Sequence, residues 1–247
     1  MFSYLLVTGP PFDKELWAAV AKRIIAQGHG ATAVSLFTGG DGSLNSESQR
    51  LAQHISTIKH PVVLIAHGAA IPIAIEASRH CAPSGLVLSN GPISSMDRFT
   101  YGLTQWAALP RALTEKLISP ARTMALLSSS IGLRRLVVNP YVMDHDTTVT
   151  VCGPIFDSTD RLTRMRLYLD GLENYDWQGP PPTLPLLICF GDADPLTLCN
   201  YKEILKNRGN ICDSSPVPGG RYLHPIERPW ELADRSIEWA QTQLTTT

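Results

Sequence analysis

The sequence has little charge, few aromatic residues and no long apolar run. Charged residues make up 17% of the 247 positions and cancel to a formal net charge of −1. No acidic or basic block creates a field that would draw in nucleic acid or an anionic membrane surface, so neither is an expected partner. The opening stretch MFSYLLVTGP is apolar, but it lacks a basic leader and a small-residue cleavage site. No segment approaches the roughly 20 apolar residues that a membrane-spanning helix needs. The cysteines, Cys81, Cys152, Cys189, Cys199 and Cys212, form no CxxC pair and no metal-ligand spacing, and their odd number leaves no complete disulfide framework. These absences lead us to expect a cytoplasmic protein with no metal and no cofactor.

What is present is enough apolar residues, 44% of the chain, to bury one full core. They fall in short runs rich in β-branched residues, separated by helical patterns, which is the signature of a parallel sheet with crossover helices. The expected strands are Tyr4 to Val7, Ala31 to Phe37, Val62 to Ala66, Leu86 to Ser89, Leu186 to Phe190 and Ile211 to Val217. Glu15 to Gln27 sets Leu16, Ala19, Val20, Ile24 and Ile25 on one helical face, and Gly28 supplies a stop. Glu47 to Lys59 and Ala69 to Cys81 read as two further helices.

After Pro92 the alternation lapses for about ninety residues of mostly helical pattern, including the apolar Met124 to Val138 and the charged Thr159 to Leu172, before Pro180, Pro181 and Pro182 return the chain to the sheet. We therefore divide the chain into a core of residues 1–94 and 183–247 and an inserted helical lid of residues 95–182.

Four local motifs punctuate this pattern. Thr8-Gly9-Pro10-Pro11 follows the first strand. Ala66-His67-Gly68-Ala69-Ala70 joins the third expected strand directly to a helix. Gly191-Asp192-Ala193-Asp194-Pro195 follows the Leu186 strand. Gly219-Gly220-Arg221-Tyr222-Leu223-His224 precedes the last helix. In this order and spacing, and over nearly the whole chain, they resemble the α/β-hydrolase family. The resemblance implies an α/β-hydrolase fold of about six mainly parallel strands flanked by helices, with the lid inserted after the strand that follows the elbow. It also implies site roles. Gly9 and Pro10 would line the oxyanion loop, Gly68 would stand at the nucleophile's position between His67 and Ala69, Asp194 would be the acid and His224 the base.

Two departures change the chemistry. Glycine at 68 carries no nucleophile, so no acyl-enzyme can form there. Pro10 has no N–H to give an oxyanion, although Ala69 N–H can serve. A histidine and an aspartate without a nucleophile make a general base. The expectation is a non-hydrolytic enzyme, of lyase, isomerase or cyclase type, acting on a small and largely apolar molecule seated above Gly68 against Gly9, Pro10, His67 and Ala69. A ligand-binding protein without catalysis and a hydrolase with an altered or mutated nucleophile stay open, as does a homodimer.

Simpler readings apply elsewhere. His67 should point away from residue 68 and pack in the core. Asp144-His145-Asp146 cannot easily converge on one ion and reads as a solvated loop. Asp192 suits a turn-stabilising role. Met96, Trp106, Met124, Met143, Met165 and Trp177 suit lid core better than a pocket, and Arg134 and Arg135 read as a surface pair before a carboxylate site.

Overall fold

The structure, a computed structural model, describes residues 1–93, 96–109, 120–177, 179–195, 205–207, 210 and 212–245. Cys199, Ile211 and positions 94, 95, 110–119 and 178 of the expected core boundary and lid lie outside them. Six strands form one sheet: β1 (Ser3–Thr8), β2 (Gly30–Val34), β3 (Val62–His67), β4 (Gly85–Ser89), β5 (Leu186–Gly191) and β6 (Cys212–Val217). Their order is β2-β1-β3-β4-β5-β6, and every neighbouring pair is parallel.

The strand sequences explain this order. Every residue of VVLIAH in β3 and GLVLS in β4 is buried, as expected of central strands covered on both faces. The GATAV of β2 is only partly buried, as an edge strand can be. Helices cover both faces. Helix α1 (Ala18–Ala26) packs on the C-terminal helix, and α2 (Leu44–Thr57) packs on α3 (Ile71–His80). The direction of strand addition reverses between β1 and β3, so the loops after these two strands flank the crevice where ligands of such sheets bind.

Among the described residues four further α-helices lie in the chain between β4 and β5: α4 (Arg98–Ala107), α5 (Pro120–Leu127), α6 (His145–Phe156) and α7 (Thr159–Gly171). Helix α7 is fastened across the carboxyl ends of the strands. Arg161 donates to Asp13 Oδ2 at 2.7 Å beyond β1 and to the Leu36 carbonyl at 3.0 Å beyond β2. Tyr168 donates its hydroxyl to the carbonyl of Ala69 beyond β3. The chain finishes with α8 (His224–Glu227) and α9 (Pro229–Gln243). Among the described residues no helix is long and apolar enough to cross a membrane.

Two local expectations are corrected. The strand expected over Ala31 to Phe37 ends at Val34, because the chain turns there and Phe37 takes a positive φ of 61° with its N–H on Glu47 Oε2. The apolar face expected of Glu15 to Gln27 is narrower. Leu16, Val20 and Ile24 are buried, but Ile25 is 57% exposed and Ala19 faces solvent.

Close backbone approach fixes the turn after β1. A Cβ on Gly9 would lie 2.7 Å from Ala69 Cα and would also run into Ala70 N, both backbone atoms that cannot swing aside. Gly9→Ala should therefore cost about 1–3 kcal/mol by overpacking. At Gly102, inside α4, nothing lies within 4 Å of an added Cβ. Gly102→Ala should instead stabilise by up to about 1 kcal/mol through helix propensity. Urea unfolding of the two variants checks the opposite signs.

Candidate active site

The carboxyl end of β3 and the turn that follows form the centre of the site. Gly68 has a φ of 60° between β3 and α3, a left-handed conformation that glycine takes without strain. Its N–H donates to the Asn90 carbonyl at 2.7 Å. An ideal Cβ on Gly68 would meet the Tyr222 hydroxyl at 3.0 Å. The space above Gly68, expected to be open for a substrate, is thus taken by the Tyr222 side chain. Its ring packs edge-on against His67, centroids 5.1 Å apart, and against Phe99 at 4.7 Å.

His67 and Ser89 are register partners at the ends of β3 and β4, so their side chains leave the same face of the sheet. His67 Nδ1 lies 2.7 Å from the Ser89 carbonyl oxygen and 3.2 Å from Ser89 Oγ. A carbonyl only accepts, so this nitrogen carries the hydrogen and Nε2 holds a bare lone pair. Among the described residues that buried Nε2 has no hydrogen-bond partner.

His224, at the start of α8, approaches Ser89 from the other side, with Nε2 2.9 Å from Ser89 Oγ. Its Nδ1 lies 3.2 Å from the Arg221 carbonyl oxygen and must donate to it. His224 Nε2 is therefore an acceptor, and the Ser89 hydroxyl donates to it while accepting from His67. His67, Ser89 and His224 are all fully buried. Burial first, and then the charge of His224, push the His67 imidazole down to about 3 against the hydrogen bond to Ser89. Burial likewise pushes His224 down to about 4. Both rings are neutral.

The pairing of His224 Nδ1 with Asp194 that the motifs suggested is corrected here. Arg221 O takes that hydrogen bond, and Asp194 Oδ2 accepts from Asn90 Nδ2 at 2.6 Å. The Arg221–His224 turn, in which His224 N–H also donates to the Arg221 carbonyl at 3.0 Å, sets that carbonyl against the ring. Asn90 itself sits at a φ of 29°, and its Oδ1 accepts from Gly191 N at 3.0 Å. Asp192 Oδ1 holds Gly219 N at 2.7 Å, linking the two loops in the structural role expected of it.

Reasoning from sequence missed Ser89, Asn90, Arg221 and Tyr222 as site residues. The one available signal was the Ser89-Asn90-Gly91 run at a strand end, since Asn-Gly marks turns with positive φ. Of the other candidates, Asp144 caps α6 by accepting from Thr147 N at 2.8 Å. Among the described residues no group of three His, Cys, Asp or Glu side chains could hold a metal ion.

An apolar pocket of 220 Å³ lies against Pro10 and Pro11, walled by Leu103, Trp106, Phe156 and Met165. Neither Gly68 nor His224 lines it. Met165 is buried in the core and Trp106 packs against it, as expected, and both also line this pocket.

Comparison with known proteins places this geometry. No family model matches the chain, and no curated protein does. Solved structures do. The chain is similar to the epoxide hydrolase CorEH, with a TM-score of 0.78 at 13% identity over 98% of this chain and 92% of that one. It is similar to the haloalkane dehalogenase DbeA of Bradyrhizobium elkani, with a TM-score of 0.72 at 11% identity over 99% and 91%. An α/β-hydrolase fold protein of Burkholderia ambifaria gives 0.72 at 20% identity over 96% and 90%. The fold is the α/β-hydrolase fold.

The neutral histidines give a pH dependence of stability. Their folded pKa values lie below the ordinary 6.5, so between that value and about 4 the unfolded chain binds more protons than the folded one. Stability should fall as pH falls through this window, by up to about 1.4 kcal/mol per pH unit for each histidine. His224→Gln should flatten the slope between pH 6 and 4.5 in urea unfolding. A slope unchanged from wild type would contradict a buried neutral His224.

Proposed function

We propose that this chain is a non-hydrolytic enzyme of the α/β-hydrolase superfamily, of lyase, isomerase or cyclase type, that moves a proton on a small, largely apolar molecule. The observation that carries this reading is the lone pair of His224 Nε2, fixed by the Arg221 carbonyl and aimed at the Ser89 hydroxyl, beside a residue 68 that has no side chain. A proton leaving the substrate passes to Ser89 Oγ as the hydroxyl gives its own hydrogen to Nε2. The imidazolium formed is stabilised through Nδ1–H by the Arg221 carbonyl. Asp194 acts at one remove, by holding Asn90 and the β4 turn. Gly9, Pro10, His67 and Ala69 bound the substrate, Ala69 N–H supports developing negative charge, and helices α4–α7 act as a lid that keeps water out.

A second reading, a ligand-binding protein without catalysis, draws support from the complete burial of Ser89 and His224. The Tyr222 ring must move for a substrate to reach them.

Small apolar ketones such as cyclohexanone, incubated with the protein in deuterium oxide, should exchange their α-protons faster than in buffer. His224→Ala should lower that exchange by about a hundredfold or more. Gly68→Ser should abolish it, because the new side chain meets the Tyr222 hydroxyl and strains a left-handed backbone. A fluorophosphonate probe should leave the intact mass of the wild type unchanged. Hydrolysis of p-nitrophenyl acetate with an acylated serine in the wild type would sink the non-hydrolytic reading.

A further inference from the structure

A cationic, concave face lies beside the site. One open pocket of 410 Å³ is lined by Arg98 and Arg135 together with apolar side chains, among them Phe99, Leu127, Ile131 and Leu133. A second pocket of 410 Å³ shares Arg135 and adds Arg134 and Arg221. Among the described residues no acidic side chain lines either one. The ion pairs that the described residues form use Arg23, Arg50, Arg79, Arg161 and Arg164, none of these four.

The carboxylates nearest in the chain are already committed. Asp97 caps α4 through Phe99 N and Thr100 N, and Asp194 accepts from Asn90. Glu227 accepts from the backbone N–H groups of Val138, Asn139 and Arg221. Asp144 caps α6. A chain whose charge is nearly balanced thus places four arginines and no lining carboxylate, among the described residues, along one recess.

The inner wall of the first pocket is Phe99, which packs on Tyr222, whose hydroxyl stands over Gly68. The pocket therefore adjoins the site through the Phe99–Tyr222 contact. A ligand here needs an apolar body for the Phe99, Leu127, Ile131 and Leu133 surface and an anionic head for the guanidinium forks, which match a carboxylate in a bidentate way.

We propose that this pocket binds a small amphipathic carboxylate, with its head on Arg98 and Arg135 and its hydrocarbon part against Phe99 and Leu133. The proposal rests on the reading above only in calling this ligand the substrate class, since binding itself does not require His224. Calorimetric titration of the full-length protein with octanoate, octanol and inorganic phosphate tests it. Octanoate should bind at one site at least about tenfold more tightly than octanol, the scale of a charged hydrogen bond, and phosphate should not displace it. Arg98→Gln/Arg135→Gln should lose that preference while octanol binding stays the same. His224→Ala should bind octanoate like wild type, which separates failure of catalysis from failure of this site. Equal affinity for octanoate and octanol, no binding of octanoate, displacement by phosphate, or a preference that survives the double substitution would each overturn the proposal. The wild-type comparison of octanoate with octanol decides the matter even if the double variant does not fold.

Discussion

One residue, Asn90, ties its own turn after β4 to two motif loops, the Gly68 turn and the Gly191–Pro195 turn. Its backbone carbonyl accepts from Gly68, its side-chain oxygen accepts from Gly191, and its amide donates to Asp194. It does this from a left-handed backbone conformation that asparagine tolerates better than most residues. The strand ends alone would leave these turns free to drift, since each lies beyond the last ladder hydrogen bond. Gly91 completes the junction, because any side chain there would strike Gly68 Cα. The positions of Gly68, Ser89 and the Asp194 turn all follow from this crossing point.

The polar chemistry of Ser89 and His224 is satisfied within the protein, while His67 Nε2 keeps its lone pair. Ser89 accepts from one imidazole and donates to another, and the second imidazole is held by a main-chain carbonyl. Neutral groups suit such a place, since an ion pair taken out of water would have to recover several kcal/mol of hydration per ion. A carboxylate is not needed to fix the tautomer of His224. The Arg221 carbonyl does so without carrying charge into the core.

The sheet was legible in the sequence because central parallel strands are buried on both faces and so read as unbroken apolar runs, as in Val62 to Ala66 and Leu86 to Ser89. The end of β2 was not legible. Leu36 and Phe37 are apolar because they are buried in the turn, and periodicity cannot separate that from strand. In the site, Gly68 and His224 stood out because their motifs are local. Ser89, Asn90 and Tyr222 did not, since each acts through contacts across 20 to 150 residues of sequence, and an Oγ donating to a ring nitrogen 135 positions away leaves no local pattern. The bond of Asp194 to Asn90 is lost to sequence reasoning for the same reason.

The loop that carries His224 is anchored in the helical segment before β5. Leu223 N–H donates to the Leu136 carbonyl at 2.9 Å. Glu227 collects the N–H groups of Val138 and Asn139 on one carboxylate oxygen and that of Arg221 on the other. The wall of the cationic recess and the carbonyl that sets the histidine tautomer therefore belong to one mechanical body. The backbone that fixes which imidazole nitrogen carries the hydrogen is thus held by the same contacts that shape a surface the ring never touches.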